Sequence, residues 1–371
     1  MVNGSETLAA WVQVLLQLMW IIFILMLILG FNQRLQVYLW VRDIRSRMNI
    51  LNSLALEARN KTLDYMVKSN ARNPETLLNR VQEFFIIEPV SIEPTDIIKR
   101  LEHLINLRVR RFKEEFEKAM PEADSLVRGR AEVAAEITAA LNLIYKLVRH
   151  YLLLGEKTNN WILIMQLQLQ LSQILQIAST LRRALDDFIE GRPVGDAAGP
   201  MVAVKLAGPN ASWVEVDVDT VYTQLDFEDR KLIIVKARGP APEVGRPGSA
   251  VEKIVKSLVE KGVKPKLLIT VDAALKLEGE ESGLVADGVG AAIGDPGPEK
   301  IKFERIAAEH GIPLRAVIVK MSLEEAIQAI NKKVYEGVEK AVERVKEIIR
   351  SESSPGDVVI VAGIGNTGGV I

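Results

Sequence analysis

The chain has 371 residues, of which 48% are hydrophobic and 26% charged, a composition that excludes a largely disordered protein. Its formal net charge of −1 excludes a general electrostatic attraction to nucleic acid. It contains no cysteine, which excludes disulfides, thiolate metal sites and cysteine nucleophiles. At this length the chain has room for about two or three domains.

The first predicted element is an uncharged apolar segment, Leu8 to Phe31, which is long enough to span a bilayer as a helix. Glu6 is the only charged side chain before it, whereas four arginines follow it: Arg34, Arg42, Arg45 and Arg47. The positive-inside rule therefore predicts a single-pass cell-membrane protein with its N-terminus outside and residues 33–371 in the cytosol. A cleaved signal peptide is disfavoured because no Lys or Arg precedes the segment.

Residues 33–195 are predicted to form an all-α bundle or coiled-coil region. Asn73-Pro74 is a typical helix start, and a further helix is predicted from Pro121 to Leu154, ended by Gly155.

The apolar helix predicted at 161–181 carries five glutamines, which favours a bundle helix over a second membrane span, since amides in hydrocarbon need partners. Its apolar residues repeat with coiled-coil spacing at Leu167, Leu171, Ile174, Ala178, Leu181, Leu185 and Phe188. This seam is expected to pack either within the chain or between chains, and it is the basis for predicting a homo-oligomer.

The Gly- and Pro-rich segment 190–200 marks a domain boundary. We therefore predict a transmembrane anchor at 1–32, a helical domain at 33–195 and an α/β domain at 196–371. The α/β domain is expected to begin with strands at 201–206 and 214–218, followed by a hairpin of 221–225 and 232–237.

Strands and helices then alternate up to a final strand at 358–362, which predicts a mostly parallel, Rossmann-like sheet. A single long helix is predicted from Ser322 to Arg350, opened by a capping box of Ser322 and Glu325. A short helix is expected at 273–277, within an unusually long connection between strands.

Glycine is concentrated in the segments that leave the carboxyl ends of the predicted strands, namely 238–248, 272–298 and 363–371. Ligands of open α/β sheets bind at this edge. We therefore expect a ligand site there.

The closing segment GIGNTGGVI has the G-x-G-x-x-G spacing of dinucleotide-binding loops. No helix follows it, and it lacks the acidic residue expected about 20 positions further on, so NAD and FAD are disfavoured. Gly363, Gly365, Asn366 and Thr367 remain candidate ligand contacts. The alternative is a tight turn after an edge strand.

The segment VGRPGS is the stronger candidate for an anion site. Gly245 and Gly248 allow close backbone approach, Ser249 would cap the following helix, and Arg246 adds a planar cation. These four residues are predicted to bind phosphate, with an ordinary capped helix as the alternative.

Asp272 directly follows a predicted strand, and Asp287 and Asp295 lie in the long connection after it. Mg²⁺ binds through one or two carboxylates together with phosphate oxygens, so these three residues are candidate metal ligands and Mg²⁺ is the candidate cofactor. The sequence contains no Walker A motif, no G-x-S-x-G and no H-E-x-x-H, and it therefore names no catalytic residue.

Five stretches resemble an uncharacterised archaeal family of membrane-anchored proteins, a domain-of-unknown-function family: GRPVGDAAGP, VGRPGSAVEK, DAALKLEGEESG, GVGAAIGDPG and GIGNTGG. The resemblance covers nearly all of the chain. It implies an archaeal source and a membrane anchor, and it implies no activity.

These features support two hypotheses. The first is a membrane-anchored cytosolic α/β module that binds a phosphorylated small molecule, most plausibly a nucleotide, with metal-assisted phosphoester chemistry as the reaction if it is an enzyme. The second is a non-catalytic oligomeric scaffold on the inner membrane face.

Overall fold

The computed structural model describes residues 15–21, 31–83, 94–294 and 297–370. A helical N-terminal region is followed by a C-terminal α/β domain with a mixed sheet. By its internal contacts the chain divides into two compact units. One consists of Met1–Leu54 with Asn142–Ala178, and the other of Ala55–Leu141 with Ser179–Ile371.

The helical region contains α1 (Phe31–Lys68), α2 (Pro74–Gln82), α3 (Pro94–Ala119), α4 (Ser125–Lys157) and α5 (Trp161–Glu190). Pro74 lies in the first turn of α2, as expected. The predicted stop at Gly155 is wrong, since α4 continues past it to Lys157. Gly155 instead lets α4 pack closely on α5, because a Cβ there would lie 2.5 Å from Cδ1 of Ile164 and would force that side chain to shift.

Most of the predicted membrane segment lies outside the described residues; its residues 15–21 are helical. Within the described part of the chain, α5 alone is long and apolar enough to cross a membrane, and 22% of its most apolar stretch is buried. A core helix of a soluble protein meets the same test. The N-terminal span therefore stays a prediction.

The coiled-coil seam of α5 is largely buried inside this chain. Leu171, Ala178 and Leu185 are at most 1% exposed. These three residues therefore pack within the chain, and the homo-oligomer stays a prediction.

The α/β domain has seven strands: β1 (Val214–Asp217), β2 (Thr220–Phe227), β3 (Arg230–Ala237), β4 (Leu267–Leu275), β5 (Val285–Val289), β6 (Leu314–Met321) and β7 (Val358–Gly363). They form one sheet in the order β1-β2-β3-β7-β4-β6-β5. The pairs within β3-β7-β4-β6 are parallel, whereas β1, β2 and β5 pair antiparallel. The sheet is therefore mixed rather than mostly parallel.

The helices of this domain are α6 (Ala198–Ala207), α7 (Pro247–Glu260), α8 (Pro298–His310), α9 (Leu323–Ile327) and α10 (Lys332–Glu352), and a 3-10 turn, Gly195–Ala197, precedes α6. The cores place α6 and α10 on one face of the sheet and α7 and α8 on the other.

Two secondary-structure predictions are wrong in type. Residues 201–206 lie in helix α6, because a short apolar run fits a buried helix as well as a strand. Residues 273–275, expected in a short helix, extend β4 and pair with β6. The long connection after β4 contains the edge strand β5.

The predicted long helix from Ser322 is interrupted between α9 and α10, although its capping box is confirmed. The interruption has partners outside the helix: Gln328 accepts a backbone hydrogen bond from Gly195, and Ile330 donates one to Pro193. Asn331 then caps α10 through the backbone N–H of Val334.

Candidate functional site at the carboxyl edge of the sheet

The carboxyl ends of β3, β7 and β4 meet at one edge of the sheet. Lys236 on β3 is level with Gly363 on β7, and Gly363 is level with Val271 on β4. Asp272 is the next residue of β4. The candidate site lies around Asp272, where the 3-10 turn before α6 and the segment after β7 come together.

Asp272 is a nearly buried carboxylate that contacts two backbone donors. Its side chain accepts hydrogen bonds from the backbone N–H of Ala273 at 2.7 Å and of Gly294 at 3.1 Å. Burial, and in second place the negative charge of Asp196, raise the pKa of Asp272 from 3.8 to about 8. The residue is therefore poised to be protonated near neutral pH or to bind a cation.

Asp196 provides the second carboxylate of this edge. It lies in the 3-10 turn and accepts a hydrogen bond from the backbone N–H of Asn366 at 2.8 Å. Burial raises the pKa of Asp196, and the Asn366 hydrogen bond opposes that rise only in part. No lysine or arginine of the described chain forms an ion pair with Asp196 or Asp272.

Two carboxylates that are both desolvated and whose charges interact cannot both ionise at low cost. A shared proton or a bound cation would remove the repulsion between the two negative charges. Among cations, Mg²⁺ prefers oxygen ligands and often completes its coordination with phosphate oxygens. The pair thus supports proton transfer or divalent-cation binding.

Glycine allows the backbone around this pair to pack closely. A Cβ at Gly199 would lie closer than 3.0 Å to the carbonyl oxygens of Ile364 and Val271. Gly365 has a φ of +131°, and a Cβ there would overlap the carbonyl oxygen of Asp196. These contacts hold the 3-10 turn against the ends of β4 and β7, which places Asp196 beside Asp272.

The segment after β7 is a packed turn in which Thr367 is fully buried. The Thr367 hydroxyl donates to the carbonyl oxygens of Ala241 at 3.0 Å and Glu243 at 2.9 Å. The Asn366 side chain accepts from the backbone N–H of Gly368. Thr367 and the Asn366 side-chain oxygen are therefore engaged in holding the turn. β7 itself is a central strand, not the edge strand that the turn alternative assumed.

The start of α7 already has an anion against it. Both the backbone N–H and the hydroxyl of Ser249 donate to the carboxylate of Glu299 at 2.9 Å, and Lys302 contacts the same hydroxyl at 2.5 Å. Gly248 packs on the backbone of Glu299. An internal carboxylate therefore fills the position expected for phosphate.

Arg246, the residue before α7, is half-buried, and its backbone N–H donates to the Thr220 hydroxyl at 2.6 Å. Its guanidinium has no hydrogen bond or ion pair to a described residue. Gly245 before it has a φ of +61° and packs on the same Thr220 hydroxyl. Of the four residues predicted to bind phosphate, Arg246 is the one whose side chain stays available to a ligand in the described structure.

The other two predicted metal ligands do not join Asp272 in the described structure. Asp287 lies on β5, two strands from β4 and so about 10 Å away across the sheet, and it pairs with Arg315 at 3.3 Å and Arg344 at 2.7 Å. Asp295 lies outside the described residues. Within the described ranges, no group of three or more His, Asp or Glu side chains is arranged to hold a metal.

Sequence reasoning missed Asp196, because segment 190–200 was interpreted as a domain boundary. The signal that could have identified Asp196 was an acidic residue between two glycines, Gly195 in the turn and the closely packed Gly199.

Sequence reasoning also missed Lys236. Burial lowers the pKa of this lysine to about 8. Lys236 donates to the carbonyl oxygens of Ala237 and Arg238 and lies 4.7 Å from the ring centroid of Trp213. Its ammonium is thus held by backbone carbonyls and an aromatic ring rather than by the carboxylate pair.

Two models of one family match the chain. A protein of unknown function (DUF1512) N-terminal domain matches residues 18–191, and a domain of unknown function (DUF1512) C-terminal matches residues 194–371. The chain belongs to the DUF1512 family. Membership in DUF1512 brings no activity with it, and the archaeal source and membrane anchor that the sequence resemblance implied remain expectations.

No curated protein matches this DUF1512 chain. Among solved structures, a proteasome-assembly chaperone homologue of Mycobacterium tuberculosis aligns with 44% of this chain and 84% of its own, at 14% identity and a TM-score of 0.31. A similarity at that TM-score carries no argument about fold or function.

Proposed function

We propose that the α/β domain binds a phosphorylated small molecule such as a nucleotide through a divalent cation held by Asp196 and Asp272. The observation that carries this proposal is the carboxylate pair at the carboxyl edge of the sheet, Asp272 buried and Asp196 half-buried, which forms no ion pair with a described lysine or arginine. Mg²⁺ would offset their charge and would complete its coordination with phosphate oxygens and water.

Two further features support a ligand at this edge. Gly294, which donates to Asp272, has no atom within 4 Å of its Cβ position, and the same is true of Gly290. The segment beside Asp272 therefore borders open space. The guanidinium of Arg246, which follows β3 at the same edge, would supply a charge-assisted contact to phosphate.

The same residues would favour metal-assisted phosphoester chemistry if the ligand is turned over. Mg²⁺ would supply charge stabilisation on the phosphoryl oxygens. Because the pKa of Asp272 is about 8, a carboxyl released from the cation could hold or accept a proton at neutral pH.

We test binding by thermal unfolding of the purified full chain with a panel of nucleotides and nucleotide-derived messengers, each with MgCl₂ and with EDTA. A ligand at a hundred times its Kd should stabilise the protein by about 2.7 kcal/mol, and only when Mg²⁺ is present. Asp196→Asn and Asp272→Asn should each abolish the shift. Arg246→Ala should weaken ligand binding by roughly tenfold to a hundredfold, as expected for a lost charge-assisted hydrogen bond.

Asp287→Asn is the matched control, because this carboxylate pairs with arginines and should leave the ligand shift intact. The proposal is wrong if no member of the panel shifts the transition. It is equally wrong if a Mg²⁺-dependent shift survives both asparagine substitutions at the carboxylate pair.

The scaffold alternative stays a prediction, and the seam residues of α5 that are buried within the chain are not free to support it. An analytical sedimentation measurement on the same preparation distinguishes the two ideas. Self-association without any ligand shift would favour the scaffold.

We also propose that the protein is a single-pass membrane protein with residues 33–371 in the cytosol, supported by the uncharged segment and the arginines after it. The cysteine-free chain permits single-cysteine labelling at Ser354→Cys, an exposed position, with Ser5→Cys as the control before the span. In sealed right-side-out vesicles, an impermeant maleimide should label position 5 at once and position 354 only after permeabilisation. Immediate labelling at 354 would overturn the topology.

A further inference from the structure

The helices α1, α4 and α5 meet at one end of the first compact unit. Asp43 on α1 contacts Gln168 on α5 at 2.7 Å, and Arg47 contacts Ser172 at 3.0 Å, each pair 125 residues apart. α1 and α5 therefore run parallel. Extending this register by three turns places the start of α1 level with the turn that joins α4 to α5. We call this end, residues 31–39 with 147–162, the helix-tip surface.

Large apolar side chains are unusually exposed on the helix-tip surface. Nine of them are between 38% and 64% exposed: Leu35, Tyr38, Leu39, Leu147, Tyr151, Leu153, Leu154, Trp161 and Ile162. Monomeric soluble proteins seldom leave such a density of apolar groups in contact with water, so the surface is expected to meet a partner.

The same unit is strongly basic although the whole chain carries a net charge of −1. Residues 31–54 and 142–178 contain seven Lys or Arg and two carboxylates. Both carboxylates are paired internally, Asp43 with Arg47 at 3.0 Å and Glu156 with Arg45 at 2.6 Å. Arg149 and Lys157 lie exposed on the helix-tip surface itself.

Exposed Trp, Tyr and Leu side chains beside the exposed Arg149 and Lys157 fit the interfacial region of an anionic bilayer. The predicted membrane segment joins α1 at this end, so it would bring the surface to the bilayer. A second copy fits less well, because a symmetric contact would place one basic surface against another.

We propose that the helix-tip surface lies against the headgroups of an anionic membrane, with its apolar side chains inserted and its Arg and Lys side chains on lipid phosphates. The predicted span would then be reinforced by a second, peripheral contact that holds the bundle end flat on the membrane. This contact is independent of the ligand site on the α/β domain.

The test uses spin labels on single cysteines at Leu154→Cys and Trp161→Cys in the full chain, reconstituted into vesicles. Val289→Cys on β5, a residue 83% exposed, is the control. In vesicles that contain phosphatidylglycerol, labels at 154 and 161 should collide more with lipid-soluble oxygen than with a water-soluble nickel complex. The label at 289 should favour the nickel complex in all vesicles.

The charge requirement is tested by neutral phosphatidylcholine vesicles and by the double variant Arg149→Glu/Lys157→Glu. Each should move both tip labels severalfold towards the water-soluble reagent. The proposal fails if the tip labels behave like the control label in anionic vesicles, or if neutral lipid and charge reversal change nothing. Labels shielded from both reagents and broadened by neighbouring spins would show that a second copy covers the surface, which also overturns it.

Discussion

Replacing Asp272 by Asn should raise the free energy of unfolding of the ligand-free protein by about 2 kcal/mol at pH 8. A raised carboxyl pKa means that the folded state binds more protons than the unfolded state, so stability falls as pH rises from about 4 to about 8. The full cost above pH 8 is about 6 kcal/mol, at 1.36 kcal/mol per pKa unit, as an order of magnitude. Asn removes this cost. The net gain in stability is smaller than the cost removed, since the single amide oxygen of Asn accepts poorly from both Ala273 and Gly294.

Chemical denaturation between pH 5 and about pH 9 measures this effect. The unmodified protein should lose stability from pH 5 to about pH 8 with a slope approaching about 1.4 kcal/mol per pH unit and level off above that, and Asp272→Asn should flatten the slope. Asp287→Asn, which leaves Arg315 and Arg344 without their carboxylate, should give no gain at any pH. Loss of stability in Asp272→Asn at pH 8, or an unchanged slope, would show that the carboxylate is not strained.

A variant that is more stable without ligand and no longer responds to Mg²⁺ would have a specific meaning. It would show that the fold bears a cost to keep two carboxylates together, which is the pattern expected of a binding or catalytic site rather than of packing.

Gly199→Ala should lower the free energy of unfolding by about 3 kcal/mol or more, the upper range for overpacking. The residue lies in the first turn of α6, where helix propensity alone would favour Ala by up to about 1 kcal/mol. The added methyl group would meet the carbonyl oxygens of Ile364 and Val271, which belong to backbone that cannot move aside without disturbing β4 and β7. The steric clash therefore predicts a loss of stability in Gly199→Ala, whereas helix propensity alone predicts a gain.

Gly288→Ala is the matched control, since its Cβ position has no atom within 4 Å and it should change stability by no more than about 0.5 kcal/mol. Circular dichroism during urea unfolding compares the two variants. A neutral or stabilising effect of Gly199→Ala would show that the 3-10 turn does not pack closely against the strand ends. It would then also contradict the position of Asp196 near Asp272.

Local patterns in the sequence determined the local structures that depend on neighbouring residues. The capping box of Ser322 and Glu325 forms because both partners lie within one helical turn. The hairpin of β2 and β3 forms around Glu228 and Asp229, the polar turn that the sequence marked, and both residues have positive φ. The glycine-bearing segments lie at the carboxyl edge because strand–helix alternation directs consecutive parallel strands the same way.

Tertiary structure alone decided which of these residues share a site. The phosphate-like pattern at Ser249 is satisfied by Glu299, which the sequence places on a different helix. β7 lies in the middle of the sheet because its apolar residues are buried on both faces, and the glycines after it serve packing rather than an open loop. Asp196, from a segment that looked like a linker, lies near enough to Asp272 to raise its pKa because glycines let the 3-10 turn pack against the strand ends. Such contacts join residues far apart in sequence, and only the packing of the elements brings them together.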